Sequence, residues 1–147
     1  LIGAGSVISL EQIDRAVKSG AAFISMPDTN APLVEASRRH RVPAIVGALT
    51  PTEVATAWSL GAPMVSLFPA SSMGGPLYLG ALTARLGGVR LVASGGVSSE
   101  NIAEYFAAGA FAIAVGSRLF TRGDLKLENY TAIAERARGM VRLAGAG

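Results

Sequence analysis

Residues 44–68 decide the fold: Ala44-Ile45-Val46-Gly47, then Thr50-Pro51-Thr52-Glu53, then a run from Val54 to Leu60 closed by Gly61, then Met64-Val65-Ser66-Leu67-Phe68. The first and last segments are short and apolar, the pattern of buried strands. Thr50-x-x-Glu53 is a capping box with proline at the first helical position, and Gly61 sits where a helix C-terminus wants a glycine. Two strands joined by a single helix must be parallel, because parallel neighbours need a crossover.

The same unit recurs in both directions. Ile24 to Met26, Leu91 to Ala93 and Ala112 to Val115 read as further strands, and Met64 to Phe68 as the one quoted above. Ser9-Leu10-Glu11-Gln12 is a second capping box. Asn30 caps a helix over Ala31 to Arg39, Ser98 caps one over Ser99 to Ala108, and Gly20 and Gly109 close helices as Gly61 does. A final helix is expected from about Leu127 to Ala144. With an opening strand at Leu1 to Gly3, the pattern amounts to six βα units of an α/β fold. A doubly wound sheet and part of an eight-unit barrel both fit, and length does not choose between them.

Composition sets limits on chemistry. The chain has 147 residues, half of them apolar and 16% charged, which is expected to give one soluble domain over residues 1–147. It has no cysteine and one histidine, His40, so thiolate chemistry, disulfides and His- or Cys-rich metal sites are excluded. The net charge of +3 comes from Lys18, Lys126 and 11 scattered arginines with no basic arm, so nucleic acid is not an expected partner. Val54 to Ala84 carries no charge, yet Pro63, Pro69, Pro76 and Gly74-Gly75 break it into pieces too short for a membrane span. No secretory signal is expected from the sequence as it reads, and the cytoplasm is the expected location. Leu1-Ile2 runs directly into Gly3-Ala4-Gly5, as though the chain begins inside a fold.

In either architecture, chemistry gathers at the carboxyl ends of the strands. Ser94-Gly95-Gly96 and Gly116-Ser117 stand there on the last two strands, where glycines let backbone amides approach an anion, and they are expected to form a phosphate cradle. Asp28 in Pro27-Asp28-Thr29-Asn30 could touch substrate or simply make a turn, and Arg118 could face a phosphate or solvent. Arg38, Arg39, His40 and Arg41 read as a solvated cluster complementing a helix dipole. Trp58, Tyr78, Tyr105 and Phe106 are expected to pack from helices.

Taken together, Gly3-Ala4-Gly5-Ser6-Val7, Pro27, Leu67-Phe68-Pro69-Ala70 with Gly74-Gly75, Ser94-Gly95-Gly96-Val97-Ser98 and Gly116-Ser117 resemble the KDPG/KHG aldolase family. The resemblance covers nearly the whole chain. It implies a partial TIM (βα)8 barrel with units three to eight present and the first two absent. It further implies a carbon–carbon lyase cleaving a 2-keto-3-deoxy (phospho)sugar acid to pyruvate and an aldehyde, without metal or other cofactor, usually as a homotrimer. The expected partner is a small 2-oxo acid or sugar phosphate. Ser6, Pro27, Phe68 and Ser94 fall at substrate positions, and Gly95, Gly96, Gly116 and Ser117 at the phosphate side.

The family's Schiff-base lysine lies two residues before the Phe of Phe-Pro-Ala, a position held here by Ser66. Its acid/base glutamate belongs to a strand this chain does not contain. A hydroxyl cannot form the imine that serves as electron sink, so activity is expected to be lost or altered. Lys18, at a helix end, and Lys126, beyond the last strand, do not occupy a strand tip and are poor substitutes. The alternatives are a non-catalytic sugar-phosphate binding module and another phosphate-binding barrel enzyme such as an isomerase.

Overall fold

A computed structural model describes residues 1–145. Among them are five strands, and every strand pairing within a unit is parallel. The fold is α/β. Two compact units are distinguished, one formed by Leu1–Phe68 with Leu86–Arg90, the other by Pro69–Arg85 with the chain from Leu91 onward.

The first unit contains α1 (Leu10–Lys18), β1 (Ile24–Met26), α2 (Ala31–Arg39), β2 (Ala44–Ala48), α3 (Pro51–Ser59) and β3 (Met64–Leu67). Capping chemistry sets its helix starts. Thr50 Oγ1 accepts from Glu53 N–H while the Glu53 carboxylate accepts from Thr50 N–H at 2.7 Å, the reciprocal box expected. Asn30 Oδ1 accepts from Leu33 N–H. At α1 the Ser9 hydroxyl accepts from Gln12 N–H, but the Gln12 side chain returns to Ile8 N–H at 2.7 Å, one residue earlier than a capping box requires. The opening strand is also modified. Residues 2–7 run parallel to β1 through Ala4 N–H to Phe23 C=O, Ser25 N–H to Ala4 C=O and Val7 N–H to Ser25 C=O. Only Ala4 forms a bridge, with Ile24, because Ser6 turns to a φ of 56° and interrupts the ladder.

Register divides the β1–β2–β3 sheet into two unlike faces. Met26 pairs with Val46 and Val46 with Val65, placing Ile24, Met26, Ala44, Val46, Ala48, Val65 and Leu67 on one face, all buried. Contacts with α2 and α3 make this the helix-packed side. Each fully buried Val, Leu or Ile there contributes on the order of 1.5–3 kcal/mol. The opposite face carries Ser25, Ile45, Met64 and Ser66, all half-buried, together with Gly47.

The second unit contains a single 3-10 turn at Ser71–Met73, α4 (Gly75–Arg85), β4 (Leu91–Ser94), α5 (Ile102–Ala107), β5 (Ala112–Ala114), α6 (Arg122–Lys126) and α7 (Tyr130–Ala144). Its core includes Leu79, Leu82, Leu91, Ala93, Ile102 and the fully buried Tyr105. Two expectations change here. Ser98 does not cap a helix at Ser99: its hydroxyl donates to the Glu100 carboxylate, residues 99–101 form a turn, and α5 begins at Ile102. The last helix begins at Tyr130 rather than Leu127, because Thr121 caps the separate α6 and Glu128 takes a φ of 52° between the two.

No helix among the described residues is long and apolar enough to cross a membrane.

Candidate functional site

The tips of β1 and β2 are locked together at Gly47. A Cβ at that position would stand 2.2 Å from the Pro27 carbonyl oxygen and 2.8 Å from Asp28 N, so only a glycine lets the β1 exit cross here. Thr29 Oγ1 donates to Gly47 C=O at 2.9 Å and fastens the crossing. On the other side, Gly47 is the register partner of Ser66. Pro27 and Ser66 therefore flank one glycine. Ser66 lies on the sheet face away from α3, with Val65 and Leu67 turned into the core beneath it.

Phe68, two residues on, donates its N–H to Ala48 C=O and is 55% exposed at the strand tip. Ser6 is also exposed, with Val7 tied to Ser25 directly after it. The structure thus puts Ser6, Pro27, Ser66 and Phe68 at the carboxyl-end side of the first unit. Asp28 is exposed in the crossing loop.

In the second unit, Ser94 pairs with Ala114, so Gly96 and Gly116 each stand two residues beyond the last paired position of neighbouring strands. Gly95 and Gly96 have φ values of 86° and 78°, which a residue with a Cβ rarely adopts. Their carbonyls are used for anchoring. Ala70 N–H donates to Ser94 C=O at 2.8 Å, Ser71 N–H to Gly95 C=O at 3.1 Å, and Asn101 Nδ2 to Gly96 C=O at 3.1 Å. The turn's carbonyl oxygens are thus all engaged by neighbouring donors.

Ser71 is pressed into this turn, its Oγ standing 2.2 Å from where a Cβ on Gly96 would lie. That hydroxyl also meets the phenol of Tyr105 at 3.3 Å. Sequence reasoning named Gly95 and Gly96 but missed Ser71, Asn101 and Tyr105, which hold them. For Gly47 a signal existed, since a glycine inside an apolar strand run marks close backbone approach.

The loop after β5 is positioned from behind. Gly116 C=O accepts from Leu119 and Phe120, leaving Ser117 and Arg118 exposed in a turn. Arg136 clamps the segment, donating to Leu119 C=O at 2.6 Å and to Asp124 at 2.9 Å. Hydrogen bonds from the Thr121 hydroxyl and then Arg136 hold the Asp124 carboxyl below the usual carboxylate range. Glu100 is likewise depressed, first by the Ser98 hydroxyl and to a smaller degree by the charge of Arg118. Arg118 is thus near enough for its charge to act weakly on Glu100. Lys126 ends α6 with an exposed side chain, and Lys18 ends α1.

This parallel α/β fold is shared with solved aldolases. The solved KDPG aldolase of Legionella pneumophila, which holds pyruvate as a covalent carbinolamine intermediate, superimposes with a TM-score of 0.86 at 29% identity, over 96% of this chain and 68% of that one. The family model for KDPG and KHG aldolase matches residues 1–136, and the chain belongs to that family. It is 38% identical over 107 residues to the 2-dehydro-3-deoxy-phosphogluconate aldolase of Treponema pallidum, covering 73% of this chain and 51% of that protein. To the 2-dehydro-3-deoxy-6-phosphogalactonate aldolase of Escherichia coli it is 35% identical over 125 residues, covering 84% of this chain and 60% of that protein. The chain thus spans between half and two thirds of the length of these relatives.

Proposed function

We propose that residues 1–147 act as one aldolase-type domain in a homo-oligomer, a trimer by family resemblance, and represent units three to eight of a (βα)8 barrel. The domain is directed at a 2-keto-3-deoxy (phospho)sugar acid in the cytoplasm, for a carbon–carbon cleavage yielding pyruvate and an aldehyde. By family resemblance, Ser6, Pro27 and Phe68 of the first unit are assigned to the 2-oxo acid end; taken separately, within the second unit, Ser94, Gly95, Gly96, Gly116 and Ser117 are assigned to the phosphate. The observation that carries this reading is the glycine turn at Gly95-Gly96, whose carbonyls are all anchored.

Ser66 decides the chemistry. A lysine amine attacks the substrate carbonyl, loses water and forms an iminium that accepts the electron pair released when the carbon–carbon bond breaks. A hydroxyl has no such route, so the imine step is absent. This favours a second reading, in which the chain binds the sugar phosphate without turning it over. Incubation with pyruvate and borohydride followed by mass spectrometry tests both. No pyruvyl adduct is expected on the native chain, while Ser66→Lys, whose side chain leaves from the half-buried face beside Gly47, gains one. An adduct on the native chain would show that another amine serves; failure of a folded Ser66→Lys to react would displace Ser66 from the site.

A further inference from the structure

Four helices that lead into strands end in the same way. The residue after the C-cap takes a left-handed φ, and its N–H donates to the carbonyl three residues back. After α1, α3 and α5 that residue is Gly20, Gly61 or Gly109, with φ values of 79°, 85° and 96°. After α2 it is Arg41, at 57°. A Cβ is unfavourable there, so the arginine is a poorer choice for the turn than the glycine used at the other three. Glu128 makes the same substitution after the short α6.

What distinguishes Arg41 is what it borders. A cavity of about 310 Å³ at the amino ends of β2 and β3 is lined by Arg41 and Arg38 together with Val34, Val42, Pro43 and Pro63. That volume is of the size that holds a small ligand. Of the four consecutive basic residues, Arg38 and Arg41 line it, while His40 is turned to Asp14 at 3.0 Å. Arg38 lies along Gly61, with Cδ and Nε 3.8 Å from the position of a Cβ there. It also meets Glu35 at 3.3 Å, but both side chains are largely exposed and that pair is weak. A guanidinium has five donors, so one carboxylate does not saturate it.

We propose that this cavity binds a short aliphatic carboxylate, the apolar wall taking the chain and Arg38 and Arg41 the head group, and that Arg41 stands where a glycine would serve the turn better because it holds that anion. The site does not involve Ser66 or the glycine turns, so it stands independently of the lyase reading.

The test is a titration of the ¹⁵N-labelled chain with hexanoate. Saturable amide shifts are expected at Arg38, Arg41 and Gly61, absent with hexanol, which lacks the charge, and small with inorganic phosphate, which lacks the chain. Arg41→Gly is expected to bind about tenfold more weakly or worse while melting at the same or a higher temperature. The proposal is overturned by any of four results: no saturable shift in the native chain, native affinity in Arg41→Gly, a response to phosphate equal to that with hexanoate, or a lower melting temperature for Arg41→Gly.

Discussion

Replacing Gly47 with alanine probes the support of the candidate site most directly. The added methyl would stand 2.2 Å from the Pro27 carbonyl oxygen, 2.3 Å from its carbon and 2.8 Å from Asp28 N, more than an ångström inside van der Waals contact in the closest case. All three atoms are backbone, so no side-chain rotation relieves the clash and the β1 exit must lift. Overpacking of this kind costs about 1–3 kcal/mol. Lifting the loop also removes the Thr29 hydrogen bond to Gly47 C=O, worth roughly 1 kcal/mol net. A loss of about 2–4 kcal/mol follows, a large share of a typical domain's stability of about 5–15 kcal/mol. With a mid-range urea slope of about 2 kcal/mol/M, the unfolding midpoint should fall by roughly 1–2 M. Gly87→Ala is the control, because a Cβ there meets nothing within 4 Å. A midpoint for Gly47→Ala within roughly 0.2 M of the control would refute the packing argument and the placing of Pro27 beside Ser66.

Three further outcomes are expected, besides that for Ser66→Lys. Gly96→Ala should lose about 1–3 kcal/mol from the clash with Ser71 Oγ and the left-handed φ; adding Ser71→Gly should restore the part due to the clash, and a double-mutant cycle with no coupling would contradict it. The Glu53 carboxyl is held below the ordinary glutamate range by the amides of Thr50 and Leu49 and then by the Thr50 hydroxyl. Its contribution is therefore complete above the unfolded glutamate value near ~4.3 and is lost as pH falls through the lower folded value. Glu53→Gln should flatten the acid limb of the stability curve, and an unchanged limb would remove Glu53 from that account. Arg136→Met should let the Asp124 carboxyl titrate closer to the ordinary carboxylate range, although Thr121 still bonds it, and should loosen residues 117–121; carboxyl NMR titration and hydrogen exchange read the two effects separately.

Much of the fold was legible because its signals are local. The Thr50–Glu53 box and the Asn30 cap each depend on atoms three residues apart, and the left-handed turns at Gly20, Gly61 and Gly109 on a single φ. Where several nearby side chains competed for the same groups, reading by spacing failed. Ser98 has the right side chain for a cap, yet Glu100 takes its hydroxyl, and Asn101 satisfies Ser98 N–H while reaching Gly96. Competition for the same donors and acceptors, invisible at fixed spacing, moved the start of α5.

For this protein, the order of amino acids alone determined the parallel α/β pattern, the glycine turns and the serine at position 66, since each follows from periodicity, capping or the chemistry of one side chain. Tertiary structure alone decided that Pro27 crosses over Gly47, that Ser66 belongs to the face away from α3, and that Ser71, Tyr105 and Asn101 secure the Gly95-Gly96 turn. Those relations join residues distant along the chain, and strand register and close packing, rather than any local preference, bring them together.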